Sequence, residues 1–150
     1  MRHYKLTNQE RAASGFTDQF VIDGSELTAA ATTQTIALTT LTSAVVDDLV
    51  VVRLDEKLTG GGGTIKVEIG TAADPDYNVA ITADLKAGAV GLLHKSADTA
   101  NRCGTVYSTS TAINAKFTSS SGNFSATTQT GQVSVFMRII NSDDLKYGTA

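Results

Sequence analysis

The chain has 150 residues, of which 41% are hydrophobic and 18% charged, and its formal net charge is −3 with an isoelectric point near 5.2. This length suits a single domain with its own core, and the one cysteine, Cys103, allows no internal disulfide. Lysine and arginine form no basic stripe that would neutralise phosphates, and no apolar run approaches the roughly 18 residues of a membrane helix. We therefore expect neither nucleic acid nor a membrane as a partner.

The first 15 residues predict an extended N-terminal arm. They lack apolar periodicity and contain no apolar stretch of signal-peptide length, which favours synthesis in the cytoplasm. A short helix over residues 8–13 can be capped at Thr7 or Asn8, although so few residues do not sustain a helix alone. The segment is either a frayed terminus or an arm that becomes ordered on a neighbouring subunit. In the second case it supplies three candidate partner-binding residues: Arg2, Lys5 and Arg11.

Two well-patterned strands follow in the first half of the chain. In residues 44–58, alternate positions from Val50 to Leu54 are apolar, and in residues 64–69 alternate positions from Ile65 to Ile69 are apolar. Four glycines, at positions 60–63, separate the two segments. Because glycine supplies positive φ wherever a turn requires it, we expect the two strands to form a hairpin or to be neighbours.

The last predicted strand covers residues 131–140 and has apolar residues on both faces. One face carries Val133, Val135, Met137 and Ile139. The other face adds Phe136 and Ile140, which suggests a second buried side. These two residues are therefore further candidates for partner contact.

Turn signals recur along the whole segment between residues 16 and 140. Roughly eight short strands, with a turn about every 8–12 residues, indicate an all-β fold in the form of an antiparallel β-sandwich with jelly-roll-like topology. We expect three parts in the chain: an N-terminal arm at residues 1–15, the sandwich at residues 16–140 and a C-terminal tail at residues 141–150.

The sequence offers little material for catalysis or metal binding. Its only histidines are His3 and His94, and together with Cys103 they match no zinc spacing and no nucleophile–base pattern. Asp74 and Asp76 flank the only proline and can contribute to a calcium site, but the other ligands of an EF-hand loop are absent. We therefore expect no catalytic residues, no metal and no cofactor, and thus a protein that is not an enzyme.

Neutral hydroxyl-bearing residues stand out instead. The chain has 22 threonines, many in dense patches with serine and glutamine, as at residues 32–35, 108–111 and 127–130. Threonine either fills exposed strand positions or forms an uncharged, hydrogen-bonding surface for contact with another protein.

The order of these segments resembles small virion proteins of tailed bacteriophages, specifically capsid decoration (cement) proteins of the jelly-roll type. The resemblance covers roughly residues 16–140. It consists of an apolar turn entry at 20–24, a Thr/Gln strand ending near Leu41, a Val-rich strand through Leu58, the glycine bend, the segments 65–71 and 74–77, and the closing strand 131–139.

The resemblance implies a structural protein on the outer capsid surface of the virion. Such proteins often form homotrimers that bridge major capsid subunits, and the group has no catalytic residues to transfer. Two alternatives stay open at this point. One is a phage neck or tail component, and the other is a carbohydrate-binding or adhesion module with exposed aromatic residues such as Tyr77, Tyr107 or Phe124.

Overall fold

The computed structural model of the chain describes residues 1–60, 63–81, 83–93 and 105–141. These residues form one short helix, α1 (Asn8–Ser14), two 3₁₀ turns (Gly24–Glu26 and Phe124–Ala126) and ten strands. The strands are β1 (Arg2–Lys5), β2 (Asp18–Asp23), β3 (Thr33–Leu41), β4 (Ala44–Thr59), β5 (Ile65–Gly70), β6 (Val79–Ile81), β7 (Gly91–Leu93), β8 (Thr105–Tyr107), β9 (Thr111–Ser119) and β10 (Thr130–Asn141).

The strands form two antiparallel sheets that enclose one core. Sheet A has the order β1-β2-β10-β4-β7, with β8 also paired to β4, and sheet B has the order β3-β9-β5-β6. The buried cluster takes Phe20, Val52 and Val135 from sheet A, and Ile65 and Phe117 from sheet B. The prediction of an all-β antiparallel sandwich is confirmed.

One set of strand pairs is nested along the sequence, while β4 also pairs with β10 and β5 with β9. β2 pairs with β10, β3 with β9, β4 with both β7 and β8, and β5 with β6. In this set, the strands of each pair lie in the sequence between the two strands of the pair named before it. Taken in this order, the pairs belong alternately to sheet A and sheet B.

Alternation of apolar and polar residues sets which face each strand buries. In β4 the side chains of Val50, Val52 and Leu54 are buried, as predicted. In β5 the whole predicted apolar face, from Ile65 to Ile69, has no solvent exposure. The inner face of β10 is buried likewise at its four predicted positions: Val133, Val135, Met137 and Ile139.

The prediction that β4 and β5 pair with each other is wrong. β4 belongs to sheet A, where it pairs with β10, and β5 belongs to sheet B, where it pairs with β9 and β6. Gly60, with a φ of +121°, begins a bend that takes the chain from one sheet to the other. Four consecutive glycines permit such a crossing as readily as a tight hairpin, because they impose few restrictions on φ.

The N-terminal segment, predicted as an extended arm, lies along the edge of sheet A. Arg2–Lys5 is extended, but all four residues pair with β2 and form the edge strand of sheet A. This pairing satisfies backbone groups that β2 would otherwise leave open at its outer side. The sandwich therefore begins at residue 2 instead of residue 16. Of the predicted C-terminal tail, Asn141 ends β10, and residues 142–150 lie outside the described residues.

A β-bulge near the start of β10 depends on a single glycine. The register against β4 shifts between Thr130 and Gln132, and Gly131 between them has a φ of +96°. A Cβ atom at this position would lie 2.3 Å from the carbonyl oxygen of Lys57. Only glycine fits both the backbone conformation and the space.

Candidate interaction surface

The helix α1 is held by its caps alone. The Thr7 hydroxyl accepts a hydrogen bond from the Glu10 amide, and the Glu10 carboxylate accepts one from the Thr7 amide at 2.7 Å. Gly15, in the left-handed conformation with a φ of +79°, ends the helix. None of its residues is buried. The predicted short helix is thus present, and capping supplies what its length does not.

Each of the three basic residues predicted to bind a partner has a contact within the chain. Arg2 pairs with Asp23 at 2.9 Å, and Lys5 pairs with Asp18 at 2.6 Å. Arg11 donates from Nε to the carbonyl oxygen of Leu6 at 2.8 Å. These contacts fasten the N-terminal segment to sheet A and to itself, so partner binding through these residues has to compete with them.

Asp18 is the buried anchor of the N-terminal strand. Its carboxylate accepts hydrogen bonds from His3 Nε2 at 2.7 Å and from the Thr17 hydroxyl at 2.5 Å, in addition to the ion pair with Lys5. Burial alone would raise the pKa of Asp18. The hydrogen bonds from Lys5, Thr17 and His3, together with the positive charge of Lys5, outweigh burial and lower this pKa below its ordinary value of 3.8.

Replacing Lys5 by Met should make the protein more sensitive to acid. A carboxyl with a lowered folded-state pKa contributes stability in full above its ordinary pKa, and this contribution is lost as the pH falls through the folded-state pKa. Without Lys5 the pKa of Asp18 rises, so the contribution disappears at a higher pH. We expect the midpoint of acid unfolding, followed by circular dichroism, to move to higher pH.

The matched control for this prediction is Lys57→Met. It removes an equal charge from an exposed lysine whose ammonium group bonds to the carbonyl oxygen of Ala87 at 3.5 Å. Because the Lys5 side chain is 60% exposed, its loss at neutral pH should cost only about 1 kcal/mol or less. Identical acid midpoints for the two variants would refute the role assigned to Lys5.

An apolar groove lies on the outer face of sheet A. We call it the outer groove; its volume is about 200 Å³, and it is lined by Ser14, Phe16, Val51, Arg53, Leu92 and Phe136. Phe136 and Phe16 pack against each other with ring centroids 5.6 Å apart. Leu92, at the edge of the sheet, is 69% exposed. The groove therefore presents aromatic and aliphatic groups to the surroundings of the chain.

Arg53 is fixed in place beside this groove. Its guanidinium carbon lies 4.9 Å from the ring centroid of Phe136, and its Nε pairs with the Asp55 carboxylate. Asp55 also accepts a hydrogen bond from the hydroxyl of Ser134, a side chain without solvent exposure. Gln19 donates to the same hydroxyl at 3.2 Å. This network connects Arg53 to side chains of the neighbouring strands β10 and β2.

Ile140 lies at the other end of the same sheet face. It pairs across the ladder with Val45, which in turn pairs with Val106 of β8. Val106 is 66% exposed, whereas Phe136 and Ile140 are half-buried. The second apolar side of β10 that the sequence predicts is thus an outward face in the single chain.

Sequence reasoning found Phe136 of the outer groove, and Ile140 outside it, but missed the other residues that line the groove. Phe16 lies just before β2, and Leu92 lies on a three-residue strand, so neither belongs to a long pattern. Val51 and Arg53 occupy the alternate positions of β4 whose side chains point outward. This alternation is the sequence signal from which they could have been predicted. The structure does not place Arg2 or Lys5 in the groove; the N-terminal segment reaches it through Ser14 and Phe16.

The described part of the chain contains no cluster of metal-ligating side chains. No group of three or more His, Cys, Asp and Glu side chains among these residues can hold a metal ion. The side chains of Asp74 and Asp76 are hydrogen-bonded to each other, and this bond is the main cause that raises the pKa of Asp76. His94 and Cys103 lie outside the described residues.

The aromatic residues of the adhesion alternative do not form an exposed platform. Phe124 is 2% exposed and Tyr107 is 7% exposed, and both belong to the buried core. Tyr77 is half-buried in the turn after β5. Stacking on a sugar requires an accessible ring face, so Tyr107 and Phe124 cannot provide it.

Comparison with known proteins yields no relative. No protein-family model, no curated protein and no solved structure matches the chain. No helix among the described residues is both long enough and apolar enough to span a membrane.

Proposed function

We propose that the chain is a non-enzymatic structural protein of a tailed-bacteriophage virion that decorates the capsid. In this proposal it is made in the host cytoplasm, assembles as a homotrimer and binds the outer surface of the major capsid protein without a cofactor. By bridging neighbouring capsid subunits it stabilises the head against internal pressure. The nested strand pairs support the associated proposal that the sandwich is a jelly roll.

The outer groove is the single observation that carries this proposal. It combines exposed apolar groups with a fixed arginine on a rigid sheet, and aromatic residues and arginine are enriched at the centres of protein interfaces. A rigid face loses little conformational entropy on binding. On a symmetric lattice many copies of a modest contact add up to firm attachment through multivalency.

A phage neck or tail component is the second structural candidate, and it would use the same groove against a different partner. The adhesion alternative has less support because Tyr107 and Phe124 are buried. The proposal therefore concerns a surface that binds protein, and the identity of the partner decides between the capsid and the neck or tail.

Leu92→Asp should abolish or greatly weaken binding to capsids of the encoding phage that lack this protein. The substitution places a charge in the outer groove, where a partner would have to desolvate it, and we expect at least about a tenfold loss of affinity. Since Leu92 is 69% exposed, the fold should persist. Cosedimentation of purified protein with such capsids measures the effect.

Val90→Asp is the matched control because Val90 is 57% exposed, lies two positions away and does not line the groove. It should bind as the unchanged protein does. Failure of the unchanged protein to bind capsids, combined with binding to isolated necks or tails that Leu92→Asp removes, would transfer the role to the second candidate. Equal binding by both variants would remove the groove from the interface.

A further inference from the structure

The two sheets end in strands that differ sharply in length and charge. Sheet A ends in β1 at one side and in β7 and β8 at the other, and sheet B ends in β3 and β6. β1 has four residues, three of them Arg, His and Lys, and β6, β7 and β8 have three residues each. β3 has nine residues, and its sequence TQTIALTTL contains neither a charge nor a proline.

β3 lacks most of the usual protection of an edge strand. Short length, charged side chains, proline and bulges are the devices that keep sheet edges from pairing with other chains. β3 has one bulge, between Ala37 and Thr39, which leaves residues 33–37 as an unbroken run. Among the described residues its strand pairing is with β9 alone. Its second side therefore presents backbone N–H and C=O groups at strand spacing.

The start of this edge is held in a fixed conformation. The Gln34 side chain accepts hydrogen bonds from the amides of Thr28 at 2.8 Å and Ala29 at 2.9 Å. It also donates to the carbonyl oxygen of Glu26 at 2.7 Å. Because the loop before β3 is tied to the strand in this way, the edge is organised before any partner arrives.

Hydrogen bonding and charge together specify what fits this edge. A row of backbone donors and acceptors at strand spacing is satisfied by an extended polypeptide. When two identical strands pair antiparallel about a two-fold axis, each residue faces a residue of the same strand, so charged strands repel their own copies. β1, with Arg2 and Lys5, would face like charges in this arrangement, whereas β3 would bring threonine hydroxyls and small apolar groups together.

We propose that β3 pairs with β3 of a second copy of this chain across a two-fold axis. The pairing joins the two B sheets into one continuous sheet and satisfies the open edge of both. It goes beyond the capsid role and does not depend on it, since β3 belongs to sheet B whereas the outer groove lies on sheet A. On a surface that already holds copies side by side, such a contact would connect neighbouring assemblies.

The test compares Ala37→Lys with Ala112→Lys. Both alanines are exposed, but Ala112 lies on β9, where it pairs with Thr40, and so does not belong to the open edge of β3. In sedimentation equilibrium over roughly 1 µM to 1 mM, where small interfaces dissociate, the unchanged protein should associate in pairs, as a dimer of chains or, if the chains form trimers, as trimers joined in pairs. Ala37→Lys should weaken this association about fivefold or more because it puts a lysine on each of the two edges that pair, and Ala112→Lys should not.

Hydrogen exchange supplies a second readout that locates the contact. Amides of β3 that point away from β9 should exchange more slowly as the concentration of the unchanged protein rises, and this protection should be absent in Ala37→Lys. Fast exchange of these amides at every concentration would overturn the proposal. So would equal association of the two variants, or protection that appears only when capsids are added, which would assign the edge to a capsid strand.

Discussion

Gly131→Ala is expected to destabilise the protein by about 3 kcal/mol or more, through backbone strain and a steric clash together. The φ of +96° is a conformation that residues with a Cβ rarely adopt. The added Cβ would also lie 2.3 Å from the Lys57 carbonyl oxygen and 2.9 Å from the Leu58 Cα, both of them backbone atoms that cannot rotate away. The bulge would have to open, and the β10 ladder to β4 would be disturbed at its start. Urea unfolding measures the loss.

Gly91→Ala separates the energetic cost of backbone strain from that of a steric clash. Gly91 also has a positive φ, +128°, but a Cβ there would meet nothing within 4 Å. Its substitution should therefore cost only the conformational term of about 1–2 kcal/mol. If the two variants lose equal stability, the close approach of β10 to the Lys57 carbonyl does not restrict the bulge in the way described.

Phe117→Ala should cost about 3–5 kcal/mol, the usual range for removing a fully buried phenylalanine. Phe117 has no solvent exposure and lies on the inner face of β9, where it pairs with Gln34 of β3 and Val67 of β5. The cavity would open between the two sheets, at a position where strands on both sides fix the backbone. The loss should appear as a lower urea midpoint with an unchanged slope, since the variant still unfolds cooperatively.

Phe136→Ala also removes a phenylalanine side chain, but from an outward-facing position instead of from the core. Phe136 is half-buried on the outer face of sheet A, so its loss should cost about 1 kcal/mol, mainly its packing with Phe16 and Arg53. Its larger effect should be on partner binding. A stability loss for Phe136→Ala as large as that for Phe117→Ala would mean that the outer face belongs to the core of the single chain.

Alternation in the sequence predicted the buried faces because burial follows strand parity directly. Ile65, Val67 and Ile69 are buried for the same reason that they alternate with Lys66 and Glu68. The choice of which strands pair with each other has no such local signal. The glycine bend after β4 is compatible with a hairpin and with a crossing between sheets, and the choice is made by β9 and β10, which lie far along the chain.

The sequence did not predict the N-terminal strand β1, for a related reason. The segment Arg-His-Tyr-Lys has no apolar face. Its side chains are held by the ion pair of Lys5 with Asp18, by the hydrogen bond between His3 and Asp18, and by stacking of the His3 ring on Phe20 with centroids 4.3 Å apart. Such contacts depend on residues that only the folded sheet brings opposite. The outer groove is similar, because Phe16, Leu92 and Phe136 come from three separate segments of the chain.

The nested order of strand pairs has a consequence for synthesis on the ribosome. The ladder between β5 and β6 closes a short loop, whereas the ladder between β2 and β10 joins the two ends of the domain. Because the entropy lost on closing a loop increases with its length, the innermost ladder should form first and the outermost last. β2 then waits for its partner until residues 130–141 have been translated. Until then β2 can pair only with β1, at one of its two edges, so sheet A is completed only after β10 has been synthesised.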